Sequence, residues 1–367
     1  MNIVRQLGVC LLVVYSMMFA ILVSSCGDDD DSDLDDDAAP PDDDTVDDDQ
    51  SDDDVDDDTV DDDTVDDDSV DDDTVDDDTV DDDTVDDDSV DDDSVGWPAC
   101  DDYGLPAVDG YVGTIELSEI AGLAISYKNP GVMWAHNEAG DVTHVYAMRL
   151  DGKFLGIVTL VGAAAVDWED IAIGPCDADE CIYVGDIGDD INDRVNYAVY
   201  RFVEPVVDPN VPFWTMNINI WNRYPFYYPD GPHDAEALAV DPTGNAYVFT
   251  KYPGGASEMY AFPAMTPEVS ITLVDVGALD TGGAMGLTTA ADIHRDGLRL
   301  LLRTYYGVFE WRLQPGQAFS EIINAPRRLL PFGVEDVGEA IAYDPASGNY
   351  LHVGQGVSSP IYRIACQ

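Results

Sequence analysis

Basic residues are scarce in this chain of 367 residues, and their scarcity limits the partners it can bind. Lys and Arg number 15 against 77 Asp and Glu, and the formal net charge is −62. Residues 28–93 hold 41 of the acidic side chains and no Lys or Arg, so that 36 acidic and 14 basic residues remain from residue 96 onward. Such a surface repels nucleic acid and anionic lipid and attracts cations. We therefore expect no nucleic-acid partner, and we expect Ca²⁺ as a bound cation.

Several catalytic signatures are also missing from the sequence. It contains no Gly-x-Ser-x-Gly, no His-Glu-x-x-His, no phosphate-binding loop and no dinucleotide fingerprint. With five His residues scattered along the chain, a zinc centre would have to be assembled by the fold. The apolar runs are short and rich in β-branched and aromatic residues, and no amphipathic helix pattern separates them. These features predict an all-β protein.

The N-terminus predicts an export signal. Arg5 precedes an apolar run over residues 7–23, which ends in Val23-Ser24-Ser25-Cys26. That ending resembles the lipobox of bacterial lipoproteins, and the resemblance implies cleavage before Cys26 and acylation of its thiol. We accordingly expect a signal peptide over residues 1–25 and a lipid anchor, palmitate included, at Cys26. An uncleaved membrane anchor is the alternative.

Residues 26–95 are predicted to form a disordered stalk. From residue 42 onward, Asp-Asp-Asp-Thr/Ser-Val repeats with a period of five, and such a sequence has too few apolar side chains for a core. About 69 residues of extended chain reach at most ~230–250 Å. The stalk is interpreted as a spacer at the bacterial outer membrane or cell surface, presenting a monomeric domain to an extracellular ligand or protein. A calcium-responsive tether is the alternative, although the repeat lacks the Gly turn of a calcium loop.

The cysteines favour an exported domain. Cys10 lies in the signal peptide and Cys26 at the anchor, which leaves an even number of four in residues 96–367. Three pairings are possible, and free, buried thiols are a further alternative. We favour Cys176–Cys181, which closes a short loop, together with Cys100–Cys366, which joins the two ends of the domain.

Residues 96–367 contain five similar segments with a period near 50 residues. Each has an apolar run, a turn, a second apolar run and a third run with an aromatic residue. The segments begin near residues 122, 169, 236, 290 and 339. This pattern favours a five-bladed β-propeller. Residues 111–117 are predicted to supply the last strand of the fifth blade, and residues 214–228 are interpreted as one long outer strand with a loop. Six blades and a two-sheet sandwich are the alternatives.

Polar residues recur at equivalent positions of these segments. Glu169, Glu236 and Glu339 each open a first strand, and further polar residues follow the second strands. Because neighbouring strands are antiparallel, both sets should meet at one rim of the central channel. The residues predicted at this rim are Glu169, Glu236, Glu339, Asn137, Glu138, Lys251, Arg303 and Gln355.

Three interpretations of the rim are open. The glutamates could pair with Lys251, Arg303 and backbone amides and simply hold the blades together. They could instead bind Ca²⁺ or another ligand. As a third possibility, a carboxylate pair could act as acid and base in a metal-assisted hydrolase.

Two acidic motifs lie close to the rim in the sequence. Residues 167–170 place three carboxylates around a Trp, and residues 185–193 alternate oxygen side chains with a Gly turn. The candidate metal ligands are Asp167, Asp186, Asp189 and Asp190. An acidic solvated loop is the alternative, because the twelve-residue spacing of an EF-hand is missing. His233 beside Asp234 could be a catalytic pair, or His233 could make only a local hydrogen bond.

A group of motifs resembles a family of uncharacterised exported bacterial β-propeller lipoproteins. The likeness spans roughly residues 111–365, with Glu138 where Asp is common and Asp190 where Asn is common. The motifs that carry it are residues 134–141, 167–172, 184–190, 234–238, 303–305 and 338–342. More distantly, the glutamate-led repeats are similar to calcium-dependent propellers of phytase or esterase type, although the basic phosphate-binding cluster of a phytase is missing. We expect a ligand-binding surface module with Ca²⁺, and a secreted metal-dependent hydrolase of ester, lactone or phosphate substrates is the alternative.

Overall fold

The computed structural model describes residues 98–138, 142–283 and 286–367 as five small β-sheets. Their first strands contact one another in a closed cycle, so the sheets are the blades of a five-bladed β-propeller. The favoured blade count is therefore confirmed. Cys26, the predicted signal peptide and the acidic repeat lie outside the described residues. The described part contains no helix of the length and hydropathy that a membrane span requires.

The strands are given blade by blade, from the channel outward. Blade 1 consists of β2 (Ile120–Ile125), β3 (Val132–Asn137), β4 (His144–Arg149), β5 (Phe154–Leu160) and β9 (Trp214–Ile218). Blade 2 consists of β6 (Trp168–Cys176), β7 (Asp179–Asp186), β8 (Ala198–Val203), β10 (Asn222–Tyr227) and β14 (Ile271–Thr272). Blade 3 consists of β11 (Ala235–Val240), β12 (Ala246–Thr250), β13 (Ala256–Ala261) and β15 (Val274–Asp280).

The last two blades complete the ring. Blade 4 consists of β16 (Thr288–Ile293), β17 (Arg299–Thr304), β18 (Gly307–Arg312) and β19 (Arg328–Leu330), with a 3₁₀ helix (Phe319–Asn324) before β19. Blade 5 consists of β20 (Gly338–Tyr343), β21 (Tyr350–Gly354), β22 (Pro360–Cys366) and β1 (Tyr103–Tyr111). All neighbouring strands are antiparallel except β9 on β5 and β14 on β10, which are parallel.

The ring is closed by an N-terminal strand, as predicted, but the strand lies earlier than residues 111–117. β1 pairs with β22 from Tyr103 opposite Cys366 to Tyr111 opposite Pro360. Because Cys100 is bonded to Cys366, the pairing must begin directly after that bridge, and it uses up β22 by Tyr111. The following residues lead into blade 1, where Leu117 is fully buried.

The loop predicted within residues 214–228 is present, but the interpretation of the segment as a single outer strand is wrong. The segment splits into β9, which extends blade 1, and β10, which belongs to blade 2. Trp214 opens β9 and packs edge-on against Trp134, with 6.4 Å between the ring centroids. A Cβ at Gly156 would overlap the Trp214 ring, so the missing side chain at Gly156 is what lets β9 lie on β5.

The hydrophobic core is divided among the blade interfaces. Five clusters of buried residues lie between blades 1 and 2, 2 and 3, 3 and 4, 4 and 5, and 5 and 1. Every inner strand is therefore buried on both faces, which explains the unbroken apolar runs in the sequence. Neither face of a blade can be buried without its neighbours, so the packing depends on closure of the ring.

One buried carboxyl joins three blades near the channel. Asp170 accepts hydrogen bonds from the backbone N–H groups of Ile171 (2.8 Å), Leu238 (2.9 Å) and Ala291 (3.1 Å). These donors belong to β6, β11 and β16, so the side chain fixes the innermost strands of blades 2, 3 and 4 against one another. Asp170 belongs to the predicted residues 167–170, but its role in the structure is to connect blades.

Both predicted disulfides are confirmed. Cys100 is bonded to Cys366 across a sequence separation of 266, and Cys176 to Cys181 across a separation of 5. The first bridge joins the start of the described chain to the end of β22. The second lies at the hairpin between β6 and β7, which contains Asp177 at a φ of 51°.

We predict that the two bridges contribute unequally to stability. In the chain-entropy treatment, a loop closed over 266 residues destabilises the unfolded state by roughly 5 kcal/mol, and one over 5 residues by about 2 kcal/mol. Urea denaturation of Cys100→Ser/Cys366→Ser should therefore show the larger loss in the free energy of unfolding, with Cys176→Ser/Cys181→Ser as the matched control. Equal losses would contradict the assignment of Cys100–Cys366 as the bond that closes the ring.

Candidate functional site

All five blades carry a β-bulge at the same place in the first strand. In each blade the pairing of the first and second strands skips one residue, which is left without an opposite partner. The skipped residues are Ala121, Glu169, Glu236, Thr289 and Glu339. Bulges of this kind redirect a side chain. The predicted equivalence of Glu169, Glu236 and Glu339 thus has a definite structural basis.

A repeated hydrogen bond closes each bulge. The amide of the residue after each second strand donates to the carbonyl of the residue two positions before the bulge, over 2.8–3.2 Å. The donors and acceptors are Glu138 and Glu119, Ile187 and Asp167, Lys251 and Asp234, Tyr305 and Leu287, and Gln355 and Val337. This repeat identifies Glu138, Lys251, Tyr305 and Gln355 as structural equivalents. We call the bulge residues, these equivalents and the acidic residues Asp167 and Asp234 the channel-mouth ring.

Direct side-chain contacts connect neighbouring members of the ring. The Lys251 ammonium bonds Glu236 Oε1, and Gln355 donates to Glu138 Oε2 over 2.8 Å. The Lys251 ammonium also lies 5.0 Å from the centre of the Tyr305 ring. Although burial opposes it, Glu236 and Tyr305 raise the pKa of Lys251, so this lysine is a firmly charged member of the ring.

The ring glutamates are held in an environment that disfavours their charge. Burial raises the pKa of Glu236 to about 8 and, together with the charge on Glu236, raises that of Glu339 to about 9. Burial, with Glu236 and Asp167 close by, raises the pKa of Glu169 well above its usual range. Burial likewise raises the pKa of Glu138. Without another cation, the ring therefore retains protons at neutral pH.

Asp167 and Glu169 form a carboxyl pair. Burial raises the pKa of Asp167 to about 6, although a hydrogen bond with Glu169 acts in the opposite direction. A Cβ at Gly188 would overlap Glu169 Oε1 and Asp167 Oδ2. The predicted Gly turn in residues 185–193 therefore lets the backbone approach this pair closely.

A three-carboxyl cluster lies on the blade 2 and blade 3 side of the ring. Asp190, Asp234 and Glu236 each offer an oxygen, and these oxygens lie within 4.8 Å of one another. Beside them is a cavity of about 490 Å³ whose lining includes Asp190, Asp234, Lys251 and Tyr252. The side chains range from exposed Asp190 to buried Glu236, so the cluster is open to solvent on one side.

The other predicted metal ligands already have partners within their own loop. Asp186 Oδ1 bonds Arg194 over 2.6 Å. Asp189 accepts from the amides of Asp193 and Arg194 and from the Tyr197 hydroxyl. These contacts stabilise the loop after β7, and they leave Asp190 as the member of the acidic motif that faces the ring carboxyls.

Arg303 and Asn137 lie near the ring but contact other residues. Arg303 is 1% exposed and donates to Glu335 Oε2 over 2.5 Å, while Glu335 Oε1 lies 3.1 Å from His352 Nδ1. The Asn137 amide donates to the Glu116 carbonyl over 2.6 Å and accepts from the Glu119 amide over 3.1 Å. Arg303 thus belongs to a buried ion pair in blades 4 and 5, and Asn137 fixes the chain entering blade 1.

Sequence reasoning missed two members of the site. Tyr305 lies at the position of Lys251 in blade 4, but the interpretation set Arg303-Thr304 beside Thr250-Lys251, one residue too early, and selected Arg303. Asp234 was named as the neighbour of His233 and within a family motif, and not as a member of the rim. Counting residues from the end of each second strand would have identified Tyr305. The amino-acid sequence alone does not show that Asp190 of blade 2 lies beside Asp234 of blade 3.

No protein-family model matches the chain, and no curated protein matches it. Among solved structures, the PQQ-bound aldose sugar dehydrogenase of Streptomyces coelicolor is 12% identical, covering 73% of this chain and 99% of that one with a TM-score of 0.42. A candidate 6-phosphogluconolactonase of Bacteroides uniformis is 13% identical, covering 64% and 77% with a TM-score of 0.34. Structural similarity with identities and TM-scores this low does not indicate the function of this chain.

The ring predicts an unusual dependence of stability on pH. Glu236 and Glu339 keep their protons up to about pH 8 and 9, whereas their ordinary pKa is 4.5, so the folded protein binds more protons than the unfolded chain. With EDTA present, the free energy of unfolding should therefore be highest near pH 5 and fall as the pH rises towards 9, by about 1.4 kcal/mol per pH unit for each extra proton held.

Urea denaturation from pH 5 to 9 measures this slope. Glu236→Gln and Glu339→Gln should each flatten it, because the amide does not titrate. Asp208→Asn, which removes a carboxyl from an exposed position, is the matched control and should leave the slope unchanged. A slope unaffected by either glutamine variant would rule out the ring as its source.

Proposed function

We propose that this chain is a lipid-anchored bacterial surface protein whose propeller binds a ligand at the channel-mouth ring through Ca²⁺. The observation that carries the proposal is the convergence of Asp190, Asp234 and Glu236, whose oxygens lie within 4.8 Å of one another. Two oxygens that bind one Ca²⁺ at 2.3–2.6 Å are at most about 5 Å apart. The spacing of the three carboxyls therefore fits a shared ion.

The electrostatics of the ring support a cation. Glu138, Glu169 and Glu339 surround the three-carboxyl cluster, and Lys251 is the basic residue that bonds a ring glutamate in the described part of the chain. Because the pKa values of Glu236 and Glu339 are raised, protons bound to these carboxyls neutralise negative charge of the ring that Lys251 does not balance. A divalent ion can replace those protons, and its binding becomes stronger as the pH rises.

The cavity beside the cluster supports a ligand in addition to the ion. Ca²⁺ takes six to eight oxygens, and three carboxyl groups leave positions for oxygens of a bound molecule. The cavity of about 490 Å³ is large enough for a small organic ligand. Tyr252, at its edge, is 64% exposed and offers an aromatic face. A ligand with hydroxyl or carboxylate oxygens next to a ring fits this arrangement.

The location outside the cell rests on the sequence and on the disulfides. Two disulfides suit an exported protein. The signal pattern, Cys26 and the acidic stalk supply the proposed membrane attachment. The stalk would hold the propeller away from the lipid surface that its negative charge repels. The membrane, through the lipid, and an extracellular ligand are thus the proposed partners of a monomer.

A metal-dependent hydrolase is the second candidate, and one observation favours it. Asp167 and Glu169 are hydrogen-bonded to each other, and the pKa of Asp167 is raised to about 6, in the range that suits an acid or base near neutral pH. Asp167 could then take a proton from water while Glu169 gives one to a leaving group. Lys251 and Tyr305 lie on the same ring and could bind a developing negative charge.

Calcium binding has a defined signature in three variants. Isothermal titration of the full chain with CaCl₂ should show binding that is at least about tenfold tighter at pH 8.5 than at pH 6, with release of protons. Glu236→Gln should weaken it and Lys251→Met should strengthen it, because Lys251 competes for Glu236. Asp208→Asn is the control, because it removes one negative charge, as Glu236→Gln does, at a position far from the ring.

The control matters because the acidic repeat binds Ca²⁺ weakly in every variant, so only differences among variants report on the ring. A bound ion should also raise the midpoint of thermal unfolding relative to EDTA. Equal affinities in Glu236→Gln, Lys251→Met and Asp208→Asn would reject the ring as the calcium site.

Turnover separates the two candidates. If the ring only binds, no ester, lactone or phosphate ester in a substrate panel should be hydrolysed faster with the protein and Ca²⁺ than with Ca²⁺ alone. Hydrolysis that disappears in Glu169→Gln, with the fold intact by circular dichroism, would instead establish the hydrolase. Hydrolysis that persists in Glu169→Gln would be assigned to a contaminant or to another part of the molecule.

A further inference from the structure

A second cluster of metal-ligand side chains lies in blade 3, outside the channel-mouth ring. It is built from the segment between β10 and β11, which carries Asp230 and His233, and from β13, which carries Glu258 and Tyr260. None of these residues belongs to the channel-mouth ring. We call the four residues the outer cluster.

The four side chains converge on one point. The Tyr260 hydroxyl lies 3.2 Å from both carboxylate oxygens of Asp230, 3.1 Å from His233 Nε2 and 3.0 Å from Glu258 Oε2. His233 Nε2 is 3.0 Å from Asp230 Oδ1, and His233 Nδ1 is 3.8 Å from Glu258 Oε2. One ligand atom each from Asp230, His233 and Glu258 lie within 4.8 Å of one another.

The backbone explains why these residues meet. Gly231 has a φ of 126°, a conformation that L side chains rarely adopt, and this turn folds Asp230 back towards His233. Glu258 and Tyr260 are two residues apart on a strand, so both point to the same face of blade 3. The His233 ring packs against Tyr228 and Tyr260, at centroid distances of 4.9 Å and 5.4 Å.

The cluster concentrates carboxylate charge. The Tyr260 hydroxyl can donate one hydrogen bond and the His233 ring supplies a further N–H. The contacts of Asp230 and Glu258 include no Lys or Arg that would offset the charge of the two carboxylates. A cation at the centre would compensate this charge.

The buried ring of Tyr228 packs against the cluster. Tyr228 is 6% exposed, and its hydroxyl has no hydrogen-bond partner among the described residues. Its ring contacts both His233 and Tyr260. A buried hydroxyl without a partner is destabilising, so a water molecule within its reach would stabilise the folded protein.

We propose that Asp230, His233 and Glu258 bind a divalent transition-metal ion, for which Zn²⁺ is the probe, with Tyr260 or a water completing the coordination. The imidazole nitrogen favours Zn²⁺ over Ca²⁺, because Ca²⁺ prefers an all-oxygen set. Three protein ligands leave a fourth position free for water or for an exogenous ligand. The side chains of Asp230 and Glu258 are about half exposed, so an ion can enter from solvent.

The site is chemically distinct from the channel-mouth ring although the two share a segment. Asp234 directly follows His233 in the chain and belongs to the three-carboxyl cluster. His233 has its ring nitrogens in the outer cluster and also lines the cavity beside the three-carboxyl cluster. The proposed Zn²⁺ site does not depend on the proposed Ca²⁺ site, because no side chain is a ligand in both. Loss of one should therefore leave the other intact.

Competition titration of the full chain with ZnCl₂ and a chromophoric chelator tests the proposal. The wild-type chain should bind one Zn²⁺ well below 100 µM, and His233→Ala should weaken it by about tenfold or more. His144→Ala, a histidine in β4 of blade 1, is the matched control, and Glu236→Gln is the control for the channel mouth. Both should retain Zn²⁺ affinity, and weak binding by the acidic repeat is common to all variants.

Two further measurements keep the test decisive. Co²⁺ in place of Zn²⁺ should give the intense visible d–d bands of a four-coordinate site, and His233→Ala should abolish them, whereas octahedral Co²⁺ bound only by oxygens absorbs weakly. If His233→Ala does not fold, Glu258→Gln, at a half-exposed side chain, should lose Zn²⁺ affinity with the fold intact. Zn²⁺ affinity that is equal in wild type, His233→Ala and Glu258→Gln would overturn the proposal.

Discussion

One extra residue in the first strand of every blade determines where the polar side chains of this propeller lie. The bulge interrupts the pairing of the two innermost strands, and a backbone hydrogen bond from the residue after the second strand closes it. Because this bond recurs in all five blades, the bulged residues form a ring at the channel mouth. A regular ladder would have no unpaired position there. The acidic ring, the cavity beside it and the proposed ion all depend on this irregularity.

The position of the ring also explains its electrostatics. Inner strands are buried on both faces, so a carboxyl at a bulge is buried among the other blades and not in water. Burial and the neighbouring carboxyls raise the pKa values of Glu169, Glu236 and Glu339 together. Lys251 can balance only part of the negative charge that these three glutamates carry when ionised. Selection for blade packing alone would favour apolar residues at these positions, and blade 1 indeed has Ala121 there.

The sequence predicted the architecture well because each blade repeats the same pattern. Apolar runs, turn residues and the recurring Glu identified five blades and the equivalence of Glu169, Glu236 and Glu339, and the positions of the cysteines identified both disulfides. Contacts between distant segments were not predictable in this way. β9 joins blade 1 because Trp214 covers Gly156, and Arg303 pairs with Glu335 from the segment between β19 and β20. No local pattern encodes either contact, and the outer cluster likewise unites a loop and a strand through a turn at Gly231.

The bridge between Cys100 and Cys366 has a mechanical consequence. Tyr103 pairs with Cys366 at the end of β22, so a force arriving from the N-terminal side would peel β1 away from that end, one hydrogen bond at a time. The disulfide lies just ahead of this first pair and bears the load as a covalent bond. A propeller held by its N-terminal side in flowing medium could thus resist drag without opening its ring.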